Sequence, residues 1–374
     1  MTTNTAEAVA RAATAIEEIR RGKMVVLTDH EDRENEGDLA MAAELVRPED
    51  INFMATHGRG LICLTLLPEK VKQLGLRMMV TDNESPYNTA FTVSIEAREG
   101  VSTGISAADR AHTIRTAIDP ESDSRHVISP GHVFPLRAQA GGVLVRAGQT
   151  EGSMDLARLA GLRPAGVICE IMNEDGTMAR SDDLRRFCER HGIVQCSISD
   201  LVQYRLLHEP LVSVASTSRV EMTFEGQTRE VEFFVFSTPI SQLEFLAIRV
   251  GTFTPDKPVL VRMHQGCLIS DLFNLGMPSG KLQMDQSLRR IFSENCGVLV
   301  YMQNSGDSLR SCFGHTFGGP GGELPGGRET NYGLGAQVLQ HLGVGRIRLL
   351  TNSDQRFHGI RAFGLEVVER VPIA

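Results

Sequence analysis

The chain has 374 residues and a formal net charge of −8, with 41% hydrophobic and 22% charged residues. That length supports about two or three domains with proper cores, and the acidic balance argues against nonspecific nucleic-acid binding while leaving room for a local basic pocket for a small phosphate. With no Trp and 4 Tyr, an aromatic platform for single strands is not expected either.

Residues 7–21 carry Ile16 and Ile19 on one apolar face and predict a helix. "KMVVLTD" (23–29) reads as a buried strand, and "EDRENEGD" (31–38) as a hydrophilic loop at its end. Residues 49–57 predict a helix, "GLICLTL" (60–66) a strand, and "TAFTVSIEA" (89–97) an alternating strand. "SAADRAHTIRTAI" (106–118) opens on an N-cap serine and predicts a helix. "PGHVFPLR" (130–137) reads as a rigid loop holding His132 between two prolines, and "GGVLVR" (141–146) as a strand. "MDLARLAGL" predicts a short helix, "AGVICEIM" (165–172) a strand, and "LRRFCERHG" (184–192) a helix ending at Gly192. This alternation indicates an α+β or α/β domain.

Pro210 breaks the helix-like "ISDLVQYRLLH", so a boundary is expected near 206–213, dividing the chain into domains 1–207 and 212–374. "REVEFFVFST", "EFLAIRVG" and "PVLVRMH" then read as successive strands of a smaller β-rich domain. "SLRRIFSENCGVLVYMQ" and "YGLGAQVLQHLGVGRIRLLTN" each read as helix then strand, and the glycine-rich "FGHTFGGPGGELPGG" (313–327) as a loop. Seven cysteines without a CxxC spacing suit a reducing cytosol. The first residues lack a signal-peptide pattern, and no apolar run reaches 18 residues, so a cytoplasmic protein with no membrane partner is expected.

Two stretches concentrate chemistry. "EDRENEGD" sets Glu31, Asp32, Glu34, Glu36 and Asp38 around Arg33 at a strand end. A charge run is ordinarily a solvated face, but clustered carboxylates also offer hard oxygen ligands for Mg²⁺ or Mn²⁺ and candidate bases, and Arg33 offers a grip on phosphate or carboxylate. "RAGQTEG" crowds Arg146, Gln149, Thr150 and Glu151 together. "VSTGISAADR" supplies hydroxyls and backbone N–H groups at a helix start, which fits a phosphate or a plain capped turn equally well.

"DHEDRENEGD", "HGRGLICL", "TAFTVSIEA", "STGISAADR", "PGHVFPLRAQAGG" and "CEIMNEDGTMAR" follow in that order. Over about residues 8–205 the chain thereby resembles the 3,4-dihydroxy-2-butanone 4-phosphate synthase family of riboflavin biosynthesis. The resemblance implies an α+β homodimer with sites near the subunit interface. It implies a lyase that converts ribulose 5-phosphate to dihydroxybutanone phosphate and formate with Mg²⁺ or Mn²⁺. It further implies metal binding by Glu34 with Glu36, and sugar-phosphate contacts from Arg33 and Asp38. Arg146 and Thr150 would bracket the substrate, with help from Thr103. His132 and Glu170 match positions needed for catalysis, Glu36 and Asp38 join them as acid–base candidates, Glu170 also lies against substrate, and Cys63 lines the pocket.

The chain departs from that pattern at the second metal ligand. Where the family has His-Thr-Glu, this sequence has Gln149-Thr150-Glu151. An amide oxygen is a weaker donor than imidazole and shuttles no proton. His30, where aspartate is usual, is a candidate replacement imidazole, and Gly152 stands where alanine is usual. Three outcomes stay open: the family reaction with Gln149 as ligand or substrate contact, a repurposed lyase or isomerase for another small polar substrate, or a binding or regulatory pseudoenzyme.

The second half resembles GTP cyclohydrolase II through "PVLVRMHQGCL", "GVLVYMQ" and "LQHLGVGRIRLLTNS". The resemblance calls for three zinc cysteines, of which Cys267 remains, with Met277 and Ser279 at the other two places. A catalytic zinc takes three protein ligands, so neither zinc nor cyclohydrolase activity is expected. "QNSGDSL", Arg328 and Thr330 replace the remaining arginine and aspartate positions, and the spacing of Cys296 and Cys312 supports no relocated site.

Overall fold

The computed structural model describes residues 5–29, 33–240, 244–275, 279–302, 327–353 and 360–373. His30, Met277, Cys312, "QNSGDSL" and the glycine-rich stretch up to residue 326 lie outside the described residues, as does the side chain of Arg328. The chain forms two compact units, one over Ala6–Tyr204 and one mainly over Arg205–Ala374. Both mix helices with a seven-stranded sheet.

In the first unit the strands are β1 (Val25–Thr28), β2 (Gly37–Ala42), β3 (Cys63–Leu66), β4 (Ile95–Ala97), β5 (Val127–Arg137), β6 (Gly166–Glu170) and β7 (Val194–Ser197). Their spatial order is β4-β5-β3-β6-β2-β1-β7. β1 runs antiparallel to β2 and parallel to β7, while β2–β6 and β6–β3 are antiparallel. The apolar runs of β1, β2 and β3 are almost wholly buried, as expected of central strands covered on both faces.

The helices are α1 (Thr5–Arg20), α2 (Pro48–Phe53), α3 (Pro68–Gln73), α4 (Ala107–Ile118), α5 (Gln149–Leu159), α6 (Ser181–His191) and α7 (Ile198–His208). Ser106 caps α4 by accepting the Asp109 N–H at 3.0 Å, as the sequence predicts. α5 packs on β1, β2, β3 and β6, and all its residues from Gln149 to Ala157 are buried. Gly152 permits that approach: a Cβ there would lie 2.5 Å from Ile198 Cδ1 and 2.6 Å from Leu27 Cδ2.

Five local expectations are corrected. "GGVLVR" is not a strand; Gly142–Leu144 is a 3₁₀ turn, entered through positive φ at Gly141 and Gly142 and held by Asp155 Oδ2, which accepts the Val143 N–H at 2.8 Å. "PGHVFPLR" is not a loop but part of β5, with Pro130 near a register shift opposite Ile95/Glu96. The strand expected over 89–97 is confined to Ile95–Ala97. α5 begins at Gln149 rather than at Met154, and Asp38 lies inside β2 rather than in the preceding loop.

The second unit contains β8 (Ser213–Phe224), β9 (Gln227–Ser237), β10 (Glu244–Val250), β11 (Pro258–Gln265), β12 (Gly297–Met302), β13 (Arg346–Leu350) and β14 (Glu366–Val371). The order is β14-β13-β11-β12-β10-β9-β8. The β8–β9–β10–β12 side is antiparallel and the β12–β11–β13–β14 side parallel. Helices α8 (Leu268–Phe273), α9 (Gly280–Glu294) and a last helix, Gly327–His341, complete it. Ile291 and Phe292 of α9 join Val250, Leu260 and Leu350 in its core.

Candidate active site

The site begins where β1 ends. Asp29 follows β1, and its side chain is fully buried. It accepts the backbone N–H of Glu34 at 3.0 Å and of Glu36 at 2.9 Å, and Arg33 Nη1 at 2.8 Å. One carboxylate thus folds the acidic loop back on the strand end. Arg33 Nη2 lies 2.9 Å from Glu34 Oε1, and Arg33 Nη1 also donates to Gln149 Oε1 at 2.8 Å. The guanidinium lies 5.1 Å from the centre of the Tyr87 ring, and Tyr87 Oη donates to the Arg33 carbonyl at 2.7 Å.

β2 and β6 bring two more carboxylates face to face, since Asp38 and Glu170 are cross-strand partners. Glu170 Oε2 accepts the Leu61 N–H at 2.8 Å. Gly60 makes room for this: a Cβ there would stand 2.5 Å from Glu170 Oε2. Cys63 starts β3 beside this pair and is buried. Burial pushes the Cys63 thiol up, and the nearby Glu170 and Asp38 push it further, so it sits there as a thiol.

Electrostatics single out the carboxylates. Burial raises the Asp38 pKa well above the ordinary aspartate value, with Glu170, Glu34, Glu36 and Asp29 adding to the rise. Burial also raises Glu34 against the opposing pull of Arg33, and Glu36 against that of Arg180. The cluster is short of positive charge, so its members bind protons more tightly than surface acids do.

Arg146 stands beside the loop. It donates to Glu151 Oε2 at 2.6 Å and to the Tyr87 carbonyl at 3.1 Å, so Tyr87 links both arginines. Thr150 is buried in the first turn of α5 next to Gln149. His132 meets Glu96, and Thr103 lies on the loop whose Gly104 packs against the same carboxylate. His132 Nδ1 lies 2.7 Å from Glu96 Oε2, and the His132 side chain is 43% exposed. Thr103 is exposed on the loop that Asp109 organises by accepting the Ser102 and Gly104 N–H groups.

Arg33, Glu34, Glu36, Asp38, Cys63, Gln149 and Glu170 thus fall in one neighbourhood, bordered by Arg146 and Thr150. Sequence reasoning passed over four residues. Asp29 carried a signal, being a carboxylate at a strand end four residues before Arg33. Tyr87, Glu96 and Arg180 carried none, because their partners are remote: Arg180 donates to the Asn35 carbonyl at 2.6 Å and lies 3.5 Å from Glu36 Oε1.

In the second unit, Asp271 gathers three donors: Tyr301 Oη at 2.9 Å, the Cys267 N–H at 2.8 Å and His264 Nε2 at 3.0 Å. Ser279 caps α9, its hydroxyl accepting the Leu282 N–H at 3.1 Å. Thr330 is buried.

Comparison with known proteins gives one family for each half of the chain. Residues 13–204 match the 3,4-dihydroxy-2-butanone 4-phosphate synthase family, and residues 217–372 match GTP cyclohydrolase II. The riboflavin biosynthesis protein RibBA of Aquifex aeolicus is 45% identical over 373 residues, covering 96% of this chain and 91% of the relative. The 3,4-dihydroxy-2-butanone 4-phosphate synthase of Pseudomonas aeruginosa is 44% identical, covering 96% of this chain and 97% of its own. A solved two-domain 3,4-dihydroxy-2-butanone 4-phosphate synthase from A. baumannii superposes with a TM-score of 0.78 at 40% identity, over 97% of this chain and 99% of that one. A synthase solved with two magnesium ions is 42% identical, with a TM-score of 0.51 over 53% of this chain and 97% of its own. The chain belongs to the 3,4-dihydroxy-2-butanone 4-phosphate synthase family of riboflavin biosynthesis, with a GTP cyclohydrolase II region as its C-terminal part.

Proposed function

We propose that the first unit converts ribulose 5-phosphate to 3,4-dihydroxy-2-butanone 4-phosphate and formate. The observation that carries this is the pairing of Asp38 with Glu170 across β2 and β6, beside Glu34 and Glu36. Forming an enediol from a ketose requires groups that take and return carbon- and oxygen-bound protons. Asp38, with its raised proton affinity, suits that exchange, and Glu170, fixed by the Leu61 N–H, suits holding the substrate hydroxyls. His132 Nδ1 is engaged by Glu96, which leaves Nε2 as the nitrogen to meet substrate. Its exposure, and that of Thr103, suits a site completed across the interface of a homodimer. Incubation with ribulose 5-phosphate and Mg²⁺ or Mn²⁺, with formate quantified, tests the assignment.

The donor set suits a hard divalent cation. Glu34 and Glu36 are oxygen donors in a cluster short of positive charge. Among the described residues no three His, Cys, Asp or Glu side chains converge on one point. We therefore assign the ion to Glu34 and Glu36 with water, the mode Mg²⁺ commonly takes. Such an ion, when bound, polarises carbonyl and hydroxyl oxygens.

Gln149 favours an alternative, a repurposed lyase or isomerase for another small hydroxylated or carbonyl substrate, because its oxygen is committed to Arg33. Formate release by Gln149→His and not by the natural chain would select it. For the second unit we propose no cyclohydrolase activity and no zinc. Ser279 serves as a helix cap, and Asp271 ties β11, β12 and the Cys267 backbone together through His264, Tyr301 and the Cys267 N–H. We further propose that the protein works in the cytoplasm, and no described helix is long and apolar enough to cross a membrane.

A further inference from the structure

Gln149 is 4% exposed and sits in the first turn of α5 with its amide inside the acid–arginine network. Its two polar atoms are treated very differently. Oε1 accepts from Arg33 Nη1 at 2.8 Å. Nε2 is buried and meets no hydrogen-bond partner among the described residues. A buried N–H without an acceptor costs free energy, and most buried polar side chains avoid that state. The amide also cannot simply turn over. A flipped Gln149 would set its NH₂ against a guanidinium, which only donates. Arg33 is itself fixed by Asp29, by Glu34 and against the Tyr87 ring.

The site therefore holds a donor of defined orientation with no acceptor among the described residues. A phosphate is a poor candidate for that acceptor. Asp29 and Glu34 flank the same guanidinium, so its charge is already shared between two carboxylates. A neutral amide among carboxylates best suits a neutral oxygen, that is, a ketone carbonyl or a hydroxyl.

We propose that Gln149 Nε2 donates a hydrogen bond to a carbonyl or hydroxyl oxygen of the bound substrate, and that this contact forms without a divalent ion. Gln149 then acts as an oriented substrate-binding residue. This rests on the ribulose 5-phosphate assignment above and adds the end of the molecule that Gln149 meets.

The test is calorimetric titration of the full chain with ribulose 5-phosphate in chelator-containing, metal-free buffer, for the natural chain, Gln149→Glu and Gln149→Met. Gln149→Glu keeps an oxygen toward Arg33 but turns the donor into an acceptor, and Gln149→Met removes both. Each is expected to bind roughly tenfold or more weakly, with the melting temperature of at least Gln149→Glu retained. Inorganic phosphate, titrated as a second probe, is expected to bind all three alike. Equal binding of ribulose 5-phosphate by all three overturns the inference, as does an equal loss for inorganic phosphate, which would put Gln149 at the phosphate end. Formate release separates the two levels. If the natural chain makes formate with Mg²⁺ yet shows no metal-free binding, the inference falls and the activity stands. If it neither binds nor releases formate, both fall.

Discussion

Arg33 and Gln149 share a 2.8 Å hydrogen bond across 116 residues of sequence. It ties the acidic loop after β1 to the first turn of α5, and the same guanidinium holds Asp29 and Glu34. Three acceptors on one planar fork are an arrangement that lysine does not reproduce. Arg33→Lys is therefore expected to keep the charge and lose the geometry. A drop of about 100-fold in kcat/KM is expected, the scale of an ångström-sized misplacement. Steady-state kinetics beside a circular dichroism spectrum check it, and kinetics equal to the natural chain's would count against the tie.

Asp29→Ala should act on stability as well as on rate. The carboxylate is fully buried and holds two backbone N–H groups and Arg33. Removing it strands three donors, and a loss of about 3 kcal/mol is expected from breaking a buried pair of this kind. Urea unfolding of the two proteins measures the difference.

Asp38→Asn is expected to trade the other way. Burial and neighbouring carboxylates raise the pKa of Asp38 in the folded chain, so the folded state holds a proton that the unfolded state has released. Stability then falls as pH rises from about 4, the ordinary aspartate value, through the raised folded-state pKa. Glu34 and Glu36 contribute with the same sign. Asp38→Asn should flatten that slope, raise Tm by roughly 2–4 °C at neutral pH, and cost about 10²–10⁴ in rate. Thermal melts across pH 4–8 test the sign; stability that rises with pH would contradict it.

Much of the fold was legible in local pattern, and the failures share a cause. The β1 and β6 runs and the Ser106 cap announce themselves over a few residues. "GGVLVR" has strand composition, yet its backbone is held by Asp155, twelve residues on, and by two glycines at positive φ. The prolines around His132 suggested a loop because the stretch that holds Pro130 bulges from β5, with Ile95 opposite Val133 and Glu96 opposite Ile128, and only the pairing with β4 on either side shows it to be strand. The same holds at the site. The carboxylates could be picked out from their crowding, whereas the engagement of Gln149 by Arg33, of His132 by Glu96 and of the acidic loop by Arg180 exists only after folding. That Gln149 Nε2 meets no acceptor among the described residues has no counterpart in sequence at all.

In the second unit, Ser279→Ala is expected to behave as loss of a helix cap, costing about 1 kcal/mol, with no change in metal content. Elemental analysis of the purified chain should find no stoichiometric zinc, and GTP should not be consumed. One equivalent of zinc that disappears in Cys267→Ser would refute the metal-free assignment.

The lyase reaction proposed at the Asp38–Glu170 pair is open to direct measurement. The direct measurement incubates the full chain with ribulose 5-phosphate and Mg²⁺ and quantifies formate together with the four-carbon phosphate. The two products are expected in equal amounts, and both are expected to be lost in Asp38→Asn with the fold intact. No formate from well-folded protein, with either Mg²⁺ or Mn²⁺, would contradict it.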